Sequence, residues 1–331
     1  MHIVITGGAG FLGTRLCRAL LADGTWSVAG APAVRIDRVT LLDRFAPAAD
    51  VAADRRVVAE SADLVDTASD ASHPVDDADV VFHLAAAVSG ECEEDFDLGM
   101  RTNLDGTMAL LRRCRTSGRN PVVVFASSLA VFGATTEYPM PEVVTDQTLP
   151  VPQTSYGIQK FACEQLLADY TRKGFLRGRS VRLPTVSVRP GLPNTAASSY
   201  LSGIIREPLS GQRADCPVKP DVAAAITSPD RAIRGLMRAA TAAPDEWGAP
   251  IAVTLPAITV TAGEMVSVLA QVAGDEVAAL VDWRPDERIA SIVEGWPPRL
   301  RTDRATRLGL DPDESFEAVV RAHIRDLRAA R

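Results

Sequence analysis

The sequence predicts an α/β fold in which helices cover both faces of a doubly wound parallel sheet. Three observations support this fold class. Short apolar segments without strict in–out alternation recur along the first half of the chain, as expected for strands buried on both faces. Segments with apolar residues at helical spacing separate these strands. A glycine-rich turn, "TGGAGFLG", connects the first strand to the first helix.

The predicted elements alternate along the chain. Strands are predicted at 2–6, 39–43, 56–60, 79–85 and 122–127. Helices are predicted directly after the first strand, over about 94–117 and over about 155–173. One more strand is predicted at 249–256, followed by a helix over 261–274 in which Thr261 and Glu264 have capping-box spacing.

The composition changes at about residue 189, where proline, glycine and serine become frequent and the alternation is lost. We therefore expect a first domain over 1–188 and a smaller lobe over 189–225 and 257–331. Residues from about 226 to 256 return to the first domain, so the two are interleaved and no single cut separates them. A chain of 331 residues is long enough for two such domains.

Composition and charge exclude several function classes. The net charge is 35 − 42 = −7 without long runs of one sign, which argues against non-specific binding to nucleic acid or to an anionic membrane. No apolar run approaches the roughly 20 residues that span a bilayer, and no signal peptide is evident at the N-terminus. The five scattered cysteines and four histidines show no metal-ligand spacing. We expect a cytoplasmic protein with reduced thiols and no metal.

The glycine-rich turn predicts a dinucleotide site in the first domain, and we expect the smaller lobe to bind the substrate. Gly7, Gly10 and Gly13 lie between a strand and a helix that begins at Phe11 and Leu12. Glycines allow the backbone to approach a pyrophosphate, and the N-terminus of the helix offers free N–H groups and a positive potential.

The choice between NAD and NADP depends on the end of the second strand. Asp43 ends "VTLLD", where a carboxylate would accept hydrogen bonds from both adenosine ribose hydroxyls and repel a 2′-phosphate. The number of residues between Gly13 and Asp43 is larger than is usual for a dinucleotide-binding motif, and we attribute the difference to an insertion, "GTWSVAGAPAVR". NAD is favoured, although the neighbouring Arg44 could hold a phosphate.

A tyrosine and a lysine four residues apart begin the helix over about 155–173. Tyr156 and Lys160 share a helix face, with Cβ atoms roughly 5–6 Å apart. An ammonium about 4 Å from the phenol could lower the tyrosine pKa by the two or three units that a base at neutral pH requires. Ser128, at the end of a neighbouring strand, could hold the substrate oxygen beside Tyr156. The three residues predict an acid/base site.

These motifs, in this order, resemble the short-chain dehydrogenase/reductase superfamily, and more closely its extended branch of NAD-dependent epimerases and dehydratases. The segments that carry the resemblance are "TGGAGFLG", "FHLAA", "NLDGT", "FASSLAVFG", "SYGIQK" and "SVRPG". The resemblance implies Ser128 as the substrate-orienting hydroxyl, Tyr156 as proton donor and acceptor, and Lys160 as its activator. It also implies cofactor contacts by Asp63 and Leu64 at the adenine, Leu84, Ala85 and Ala86 beside ribose and pyrophosphate, Asn103 near the active site, and Pro190 next to the carboxamide. His83, at a strand end, is expected to be structural.

The resemblance also limits the reaction. Leu129 and Ala130 follow Ser128, where dehydratases of this branch carry an Asp-Glu pair, so dehydration is disfavoured. The second lobe lacks the run that holds a nucleotide diphosphate in galactose epimerases and is similar to dehydrogenases of small hydroxy acids. This similarity implies NAD-dependent oxidation of the 2-hydroxyl of a small sugar acid. A nucleotide-sugar epimerase and a non-catalytic dinucleotide sensor are the alternatives.

A sugar acid needs a cation or several N–H and O–H donors in its pocket. Candidates are Ser89, Asn194 and an arginine of the second lobe, Arg206 or Arg231. The resemblance further implies a homodimer in which the helices over about 94–117 and 155–173 pair across a two-fold axis.

Overall fold

The computed structural model describes residues 1–66, 72–191 and 195–329. The chain forms two compact units, and each is assembled from separate segments. Unit 1 comprises Met1–Ser128, Ser155–Arg182 and Ile233–Val253, and unit 2 comprises Leu129–Thr154, Leu183–Ala232 and Thr254–Arg331. The units differ from the domain boundaries expected above mainly at 129–154, which belongs to unit 2, and by a few residues at 183–188, 226–232 and 254–256, which also belong to unit 2. The assignment of cofactor to one domain and substrate to the other stays a prediction.

The bounds of the regular elements in the described residues are as follows. The strands are β1 (His2–Thr6), β2 (Thr25–Trp26), β3 (Val34–Arg35), β4 (Arg38–Asp43), β5 (Val57–Ser61), β6 (Val80–His83), β7 (Val122–Ser128), β8 (Val144–Thr145), β9 (Arg177–Leu183), β10 (Thr185–Val186), β11 (Ala214–Cys216), β12 (Ala223–Thr227), β13 (Val253–Thr254), β14 (Ile258–Thr261), β15 (Val281–Trp283) and β16 (Leu300–Arg301). The helices are α1 (Phe11–Asp23), α2 (Ala49–Ala52), α3 (Ser89–Glu94), α4 (Phe96–Gly99), α5 (Gly106–Ser117), α6 (Ser155–Arg172), α7 (Tyr200–Leu209), α8 (Pro229–Thr241), α9 (Pro244–Trp247), α10 (Ala262–Ala273), α11 (Asp275–Ala278), α12 (Glu287–Val293), α13 (Asp303–Arg307) and α14 (Phe316–Ala329).

Unit 1 is built on a seven-stranded sheet with the order β13-β9-β7-β6-β1-β4-β5. The pairs β1–β4, β1–β6, β4–β5 and β6–β7 are parallel, and every residue of β1 is buried. On one face, apolar residues of β1, β6 and β7 pack with buried residues of α5 and α6 in a single cluster. The predicted doubly wound parallel sheet is confirmed.

The order of the strands brings four polar residues to one edge of this sheet. Thr6, Asp43, His83 and Ser128 are the last residues of β1, β4, β6 and β7. Parallel strands have their carboxyl ends on the same side of the sheet. These side chains therefore lie where ligands bind in open α/β sheets.

The predicted helix over 94–117 is interrupted in the structure. It consists of α3, α4, a π-helical segment over Met100–Asp105, and α5. Asp95 separates α3 from α4 because its backbone is extended (φ −132°), and its carboxylate accepts from Leu98 N–H at 2.9 Å. Apolar spacing does not reveal a break of one residue, so the prediction of one continuous helix was wrong in this detail.

Unit 2 carries several small sheets around a separate core. They have the orders β10-β12-β14, β11-β15 and β16-β8, and α7, α10 and α14 contribute buried residues to the core. The stretch after about residue 189, in which no alternation of strands and helices was recognised, contains α7 and β11. Its small residues and Pro208 obscure the amphipathic pattern of α7. The capping box of Thr261 and Glu264 is present as predicted. The strand predicted at 249–256 is only the short β13.

Candidate active site

The glycine turn between β1 and α1 is closely packed. Gly7 has a left-handed backbone (φ +68°), and a Cβ there would lie 2.8 Å from Ala85 N. A Cβ at Gly13 would lie 2.3 Å from the carbonyl oxygen of Gly7. Gly10 is the N-cap of α1, whose first turn carries no acidic side chain. The glycines therefore allow the turn to pack closely against the segment after β6 and against the start of α1, and the N-terminus of this helix offers a positive potential that suits a pyrophosphate.

The Asp43 carboxylate accepts hydrogen bonds from the glycine turn and from the turn that follows β4. Its Oδ2 accepts from Ala9 N–H at 3.0 Å, and its Oδ1 accepts from Phe45 N–H at 3.0 Å. Each carboxylate oxygen can accept a further hydrogen bond, so the contact predicted with the adenosine ribose is chemically compatible with these two. Arg44 is exposed beside it.

The turn after β6 lies against the turn after β1. Leu84 N–H donates to the carbonyl of Thr6 at 3.1 Å, and Ala85 N–H donates to Thr6 Oγ1 at 3.3 Å. Leu84, Ala85 and Ala86 are partly exposed. Their predicted place beside the ribose and pyrophosphate is consistent with this position.

Asp63 and Leu64 follow β5 and are also partly exposed. The Asp63 carboxylate accepts from Val65 N–H at 2.9 Å, and it lies 3.4 Å from a guanidinium nitrogen of Arg101. The predicted adenine contact therefore belongs to a segment that is tied to the π-helical segment through Arg101.

The acid/base residues come together in unit 1. The Ser128 hydroxyl is hydrogen-bonded to the Tyr156 phenol. Lys160 is buried and donates from Nζ to the carbonyl of Ala126 at 3.0 Å. Its Nζ lies 4.7 Å from the ring centroid of Phe125 and 5.7 Å from that of Tyr156. The first turn of α6 and the end of β7 thus bring the three predicted residues to one site.

The electrostatics of this site differ from the expectation. Burial raises the pKa of Tyr156 to about 12, while the hydrogen bond from Ser128 acts in the opposite direction. Burial lowers the pKa of Lys160 to about 8. The expected lowering of the tyrosine pKa by Lys160 was wrong for this structure, because the ammonium is bonded to a β7 carbonyl and the apolar surroundings penalise a phenolate. At pH 7 the phenol is neutral.

Asn103 belongs to the π-helical segment and organises buried polar groups. Its Oδ1 accepts from Ala87 N–H at 2.9 Å, and its Nδ2 donates to Gln159 Oε1 at 2.8 Å. A π-helical turn inside a helix is a frequent feature of functional sites. Asn103 therefore connects the segment after β6 to α6. Its partner on α6, Gln159, lies between Tyr156 and Lys160 in sequence.

His83 is part of a directional chain of hydrogen bonds. Its Nδ1 lies 2.7 Å from Thr6 Oγ1, and its Nε2 lies 2.9 Å from Thr107 Oγ1. Thr107 donates to the carbonyl of Asn103, so the hydroxyl accepts from a protonated Nε2 and the ring is neutral. Burial lowers the pKa of His83 to about 3. Sequence reasoning missed Thr6, although its place directly before the glycine turn was a signal.

The remaining predicted residues are less informative. Ser89 is buried as the first residue of α3. Pro190 is exposed in unit 2, and Asn194 lies outside the described residues. Arg206 donates to the carbonyl of Arg189 at 2.7 Å and to Glu207 at 2.5 Å within unit 2.

Some ligand types have no counterpart in the part of the chain that the structure describes. No group of His, Cys, Asp and Glu is arranged there to hold a metal ion. No helix over 1–66, 72–191 or 195–329 is both long and apolar enough to cross a membrane. The five cysteines are buried free thiols.

Comparison with known proteins identifies the family. Residues 3–223 match the model of the NAD-dependent epimerase/dehydratase family. The chain belongs to this family. The resemblance to this family that the sequence motifs indicated is thereby confirmed, and so is NAD as the cofactor. This member of the NAD-dependent epimerase/dehydratase family is an NAD-dependent oxidoreductase.

The similar proteins include two curated relatives and one solved structure. D-erythronate dehydrogenase from Cupriavidus necator is 48% identical, with 100% of both chains covered. D-erythronate dehydrogenase from Haemophilus influenzae is 39% identical over 98% of this chain and 99% of the relative. The crystal structure of the nucleoside-diphosphate-sugar epimerase from Agrobacterium tumefaciens is 41% identical with a TM-score of 0.87, covering 98% of this chain and 94% of that one.

Proposed function

We propose that this family member oxidises the 2-hydroxyl group of D-erythronate, or of a closely related small sugar acid, to the 2-keto acid. The observation that carries the proposal is the Ser128–Tyr156 hydrogen bond next to the buried Lys160, in a chain whose full-length relatives are named D-erythronate dehydrogenase. The reaction removes a proton from the hydroxyl oxygen and a hydride from the carbon that carries it.

The residues divide this work between them. Ser128 donates to the substrate oxygen and keeps it beside the Tyr156 phenol. Tyr156 exchanges a proton with that oxygen, which requires hydrogen-bond contact between the two atoms. The charge of the Lys160 ammonium would oppose the penalty that burial imposes on the phenolate, although burial outweighs it in this structure. NAD supplies the hydride acceptor when it is bound.

The cofactor would be held by the glycine turn, by Asp43 and by the turn after β6. Backbone N–H groups at the start of α1 would bind the pyrophosphate, and Gly7 and Gly13 allow the close packing that forms the turn before this helix. Asp43 would accept from the adenosine ribose and disfavour a 2′-phosphate.

A second candidate function is nucleotide-sugar epimerisation. One solved relative, 41% identical, is named a nucleoside-diphosphate-sugar epimerase. An epimerase retains its NAD and releases no net NADH, so the two functions differ in a measurable product. Dehydration is disfavoured because the apolar, buried Leu129 and Ala130 follow Ser128.

The test is a side-by-side assay of both substrate classes. Purified protein is incubated with NAD and either D-erythronate, its 2-epimer or a UDP-sugar, and NADH formation and sugar configuration are both measured. We expect NADH from D-erythronate, a strong preference at carbon 2, and no change in the UDP-sugar. Epimerisation of a UDP-sugar without NADH from any sugar acid would replace this proposal by the second candidate.

We also propose a homodimer formed through α4, α5 and α6. Phe96 on α4 and Ile158 on α6 are 60% and 55% exposed, although both are large and apolar. The two helices pack against each other within unit 1. An exposed apolar surface on adjacent helices is suited to self-association about a two-fold axis.

A further inference from the structure

A buried ion pair connects the helix that carries Tyr156 to a strand of the sheet. Glu164 lies on α6, one turn after Lys160, and Arg182 lies on β9. Arg182 donates from Nε to Glu164 Oε1 at 2.9 Å and from Nη2 to Oε2 at 2.7 Å. The side chains of Glu164 and Arg182 are 2% and 9% exposed, so the pair is bidentate and desolvated.

A third side chain joins this pair at the end of β7. Ser127 is 2% exposed, and its hydroxyl donates to Glu164 Oε1 at 2.5 Å. Ser127 directly precedes Ser128, which is hydrogen-bonded to Tyr156. The Glu164 carboxylate therefore binds the end of β7 next to Ser128. Glu164 also lies on the same face of α6 as Tyr156 and Lys160.

We propose that Glu164, held by Arg182, is a positioning residue that orients the Ser127–Ser128 strand end and keeps Lys160 charged beside Tyr156. This proposal adds a residue to the proposed function, and it rests on that function in one respect, namely that Ser128 and Tyr156 act on a hydroxyl substrate.

The geometric part of the proposal follows from the alternation of side chains in a strand. Successive residues of β7 point to opposite faces, so bonding Ser127 to α6 fixes the rotation of the backbone that leads to Ser128. A misplacement of about 1 Å at a reacting group can cost about 100-fold in rate. The pair thus acts on the reaction through Ser127 without touching the substrate.

The electrostatic part follows from the groups that face Lys160. These are Tyr156, Cys163 and Glu164 of α6, Cys92 of α3 and His83 of β6. The phenol and the two thiols have raised pKa values and His83 has a lowered one, so all four are neutral at pH 7. Glu164, which is paired with Arg182, acts against the lowering of the Lys160 pKa by burial.

The first test replaces Ser127 by alanine. We expect kcat of Ser127→Ala to fall at least about ten-fold, with KM for NAD within about two-fold of the wild type, because the orientation of Ser128 is lost and the cofactor site is not. The matched control is Ser180→Ala, a buried serine on β9 that should keep wild-type kcat. A kcat of Ser127→Ala within two-fold of the wild type overturns the proposal.

The second test follows Lys160 directly and needs no substrate. The chain has three lysines, so the titration of Lys160 can be resolved by NMR of protein labelled at lysine. In Glu164→Gln we expect Lys160 to lose its proton at lower pH than in the wild type, and in the control Asp76→Asn, which breaks the Arg113–Asp76 pair, we expect no change. Should Glu164→Gln not fold, the double variant Glu164→Gln/Arg182→Met removes the unpaired cation, and the same shift is expected. An unshifted Lys160 overturns the proposal.

The two tests separate this proposal from the proposed function. The kcat ratios are measured on whichever hydroxyl substrate the wild type oxidises, and the NMR titration uses the protein alone. A wild type that oxidises no sugar acid contradicts the proposed function, while the Lys160 titration still decides the role of Glu164.

Discussion

In the proposed mechanism Tyr156 exchanges a proton with the substrate, although burial raises the pKa of its phenol to about 12. A neutral phenol is ready to protonate a carbonyl oxygen, whereas oxidation of a hydroxyl requires the phenolate. The oxidation rate should therefore rise with pH through the neutral range, and the reverse reaction should not. Loss of the Lys160 proton, whose pKa is about 8, should limit this rise on the alkaline side.

The first prediction is that Tyr156→Phe lowers kcat by about 100-fold to 10,000-fold, which is the range for a lost acid/base group. The affinity for NAD should change little, because the ring stays in place and only the phenol oxygen is removed. Stopped assays for the sugar acid and calorimetry with NAD measure the two effects. Tyr138→Phe, at an exposed position, is the control and should resemble the wild type. A kcat within a few-fold of the wild type would exclude Tyr156 from the mechanism.

The second prediction concerns the cost of burying Lys160. Its pKa is lowered from 10.5 to about 8, so below pH 8 the folded protein holds a buried ammonium at a cost of about 3 kcal/mol. Lys160→Met removes this cost and also a hydrogen bond to Ala126 worth about 1 kcal/mol. We expect the inactive variant to be more stable at pH 7 by about 2 kcal/mol.

The sign of the pH dependence provides a check on this second prediction. Between pH 8 and 10.5 the folded state loses the Lys160 proton before the unfolded state does, so the wild type gains stability with pH and the advantage of Lys160→Met shrinks. Urea unfolding at several pH values measures it. Lys173→Met, at an exposed lysine, should show neither effect, and a destabilised Lys160→Met at pH 7 would contradict the argument.

The third prediction concerns the role of Asp43 in the choice of cofactor. Asp43→Asn keeps an oxygen that can accept from Ala9 or Phe45 N–H but removes the charge that would repel a 2′-phosphate. The preference for NAD over NADP should narrow, mainly through tighter NADP binding. Ratios of kcat/KM for the two cofactors measure this. An unchanged ratio would direct attention to Arg44.

Local residue patterns were enough to predict that Ser128, Tyr156 and Lys160 lie together, because Tyr156 and Lys160 are neighbours on one helix and Ser128 ends a recognisable strand. Their catalytic roles stay predictions. The buried pair of Glu164 and Arg182 could not be predicted in the same way. Its partners are 18 residues apart on a helix and a strand, and each alone resembles an ordinary surface charge. Contacts of this kind depend on the packing of α6 against the sheet, which the spacing of residues does not encode.

At the scale of secondary-structure elements, the turn between β1 and α1 is the most constrained. Gly7 and Gly118 have the same positive φ of +68°, but of the two only Gly7 has neighbours where a Cβ would be placed. Alanine at Gly118 would therefore introduce backbone strain alone, whereas alanine at Gly7 would introduce both backbone strain and steric contact.

The fourth prediction compares alanine at these two positions. Gly118→Ala should cost about 1 kcal/mol in unfolding free energy, which is the strain of a left-handed alanine. Gly7→Ala should cost more and should weaken NAD binding at least about ten-fold, because the turn must move away from Ala85. Thermal unfolding and NAD titration measure both. Equal effects of the two substitutions would show that close packing of the turn is unimportant.

The elements themselves were predicted unevenly. Five strands of the seven-stranded sheet (β1, β4, β5, β6 and β7) were predicted from apolar runs, most clearly β1, where all five residues are buried. The strand β9 was missed, because three arginines interrupt its sequence. The division of the helix before α5 was missed, since Asp95 and the π-helical segment do not disturb the apolar spacing. In unit 2 the small sheets contain strands of two to five residues, which are too short for a period to be recognised.

At the scale of the whole molecule, the fifth prediction tests the proposed homodimer. Phe96→Arg combined with Ile158→Arg places two charges on the apolar surface of α4 and α6 and should shift the protein to monomers. Light scattering and sedimentation at micromolar concentration measure the state. Ile251→Arg, at another exposed apolar residue, is the control and should leave the state unchanged. A wild type that is already monomeric would contradict the proposal.

The interleaving of the chain segments also has a consequence for synthesis. β9 ends at Leu183, but β13, its partner at the edge of the seven-stranded sheet, begins 70 residues later at Val253. At about 5–20 residues per second, a ribosome needs about 4–14 seconds to add this stretch. During that time β9 can pair with β7, but the other edge of β9 has no partner. This interval is the stage at which the emerging chain is most exposed to pairing with another copy.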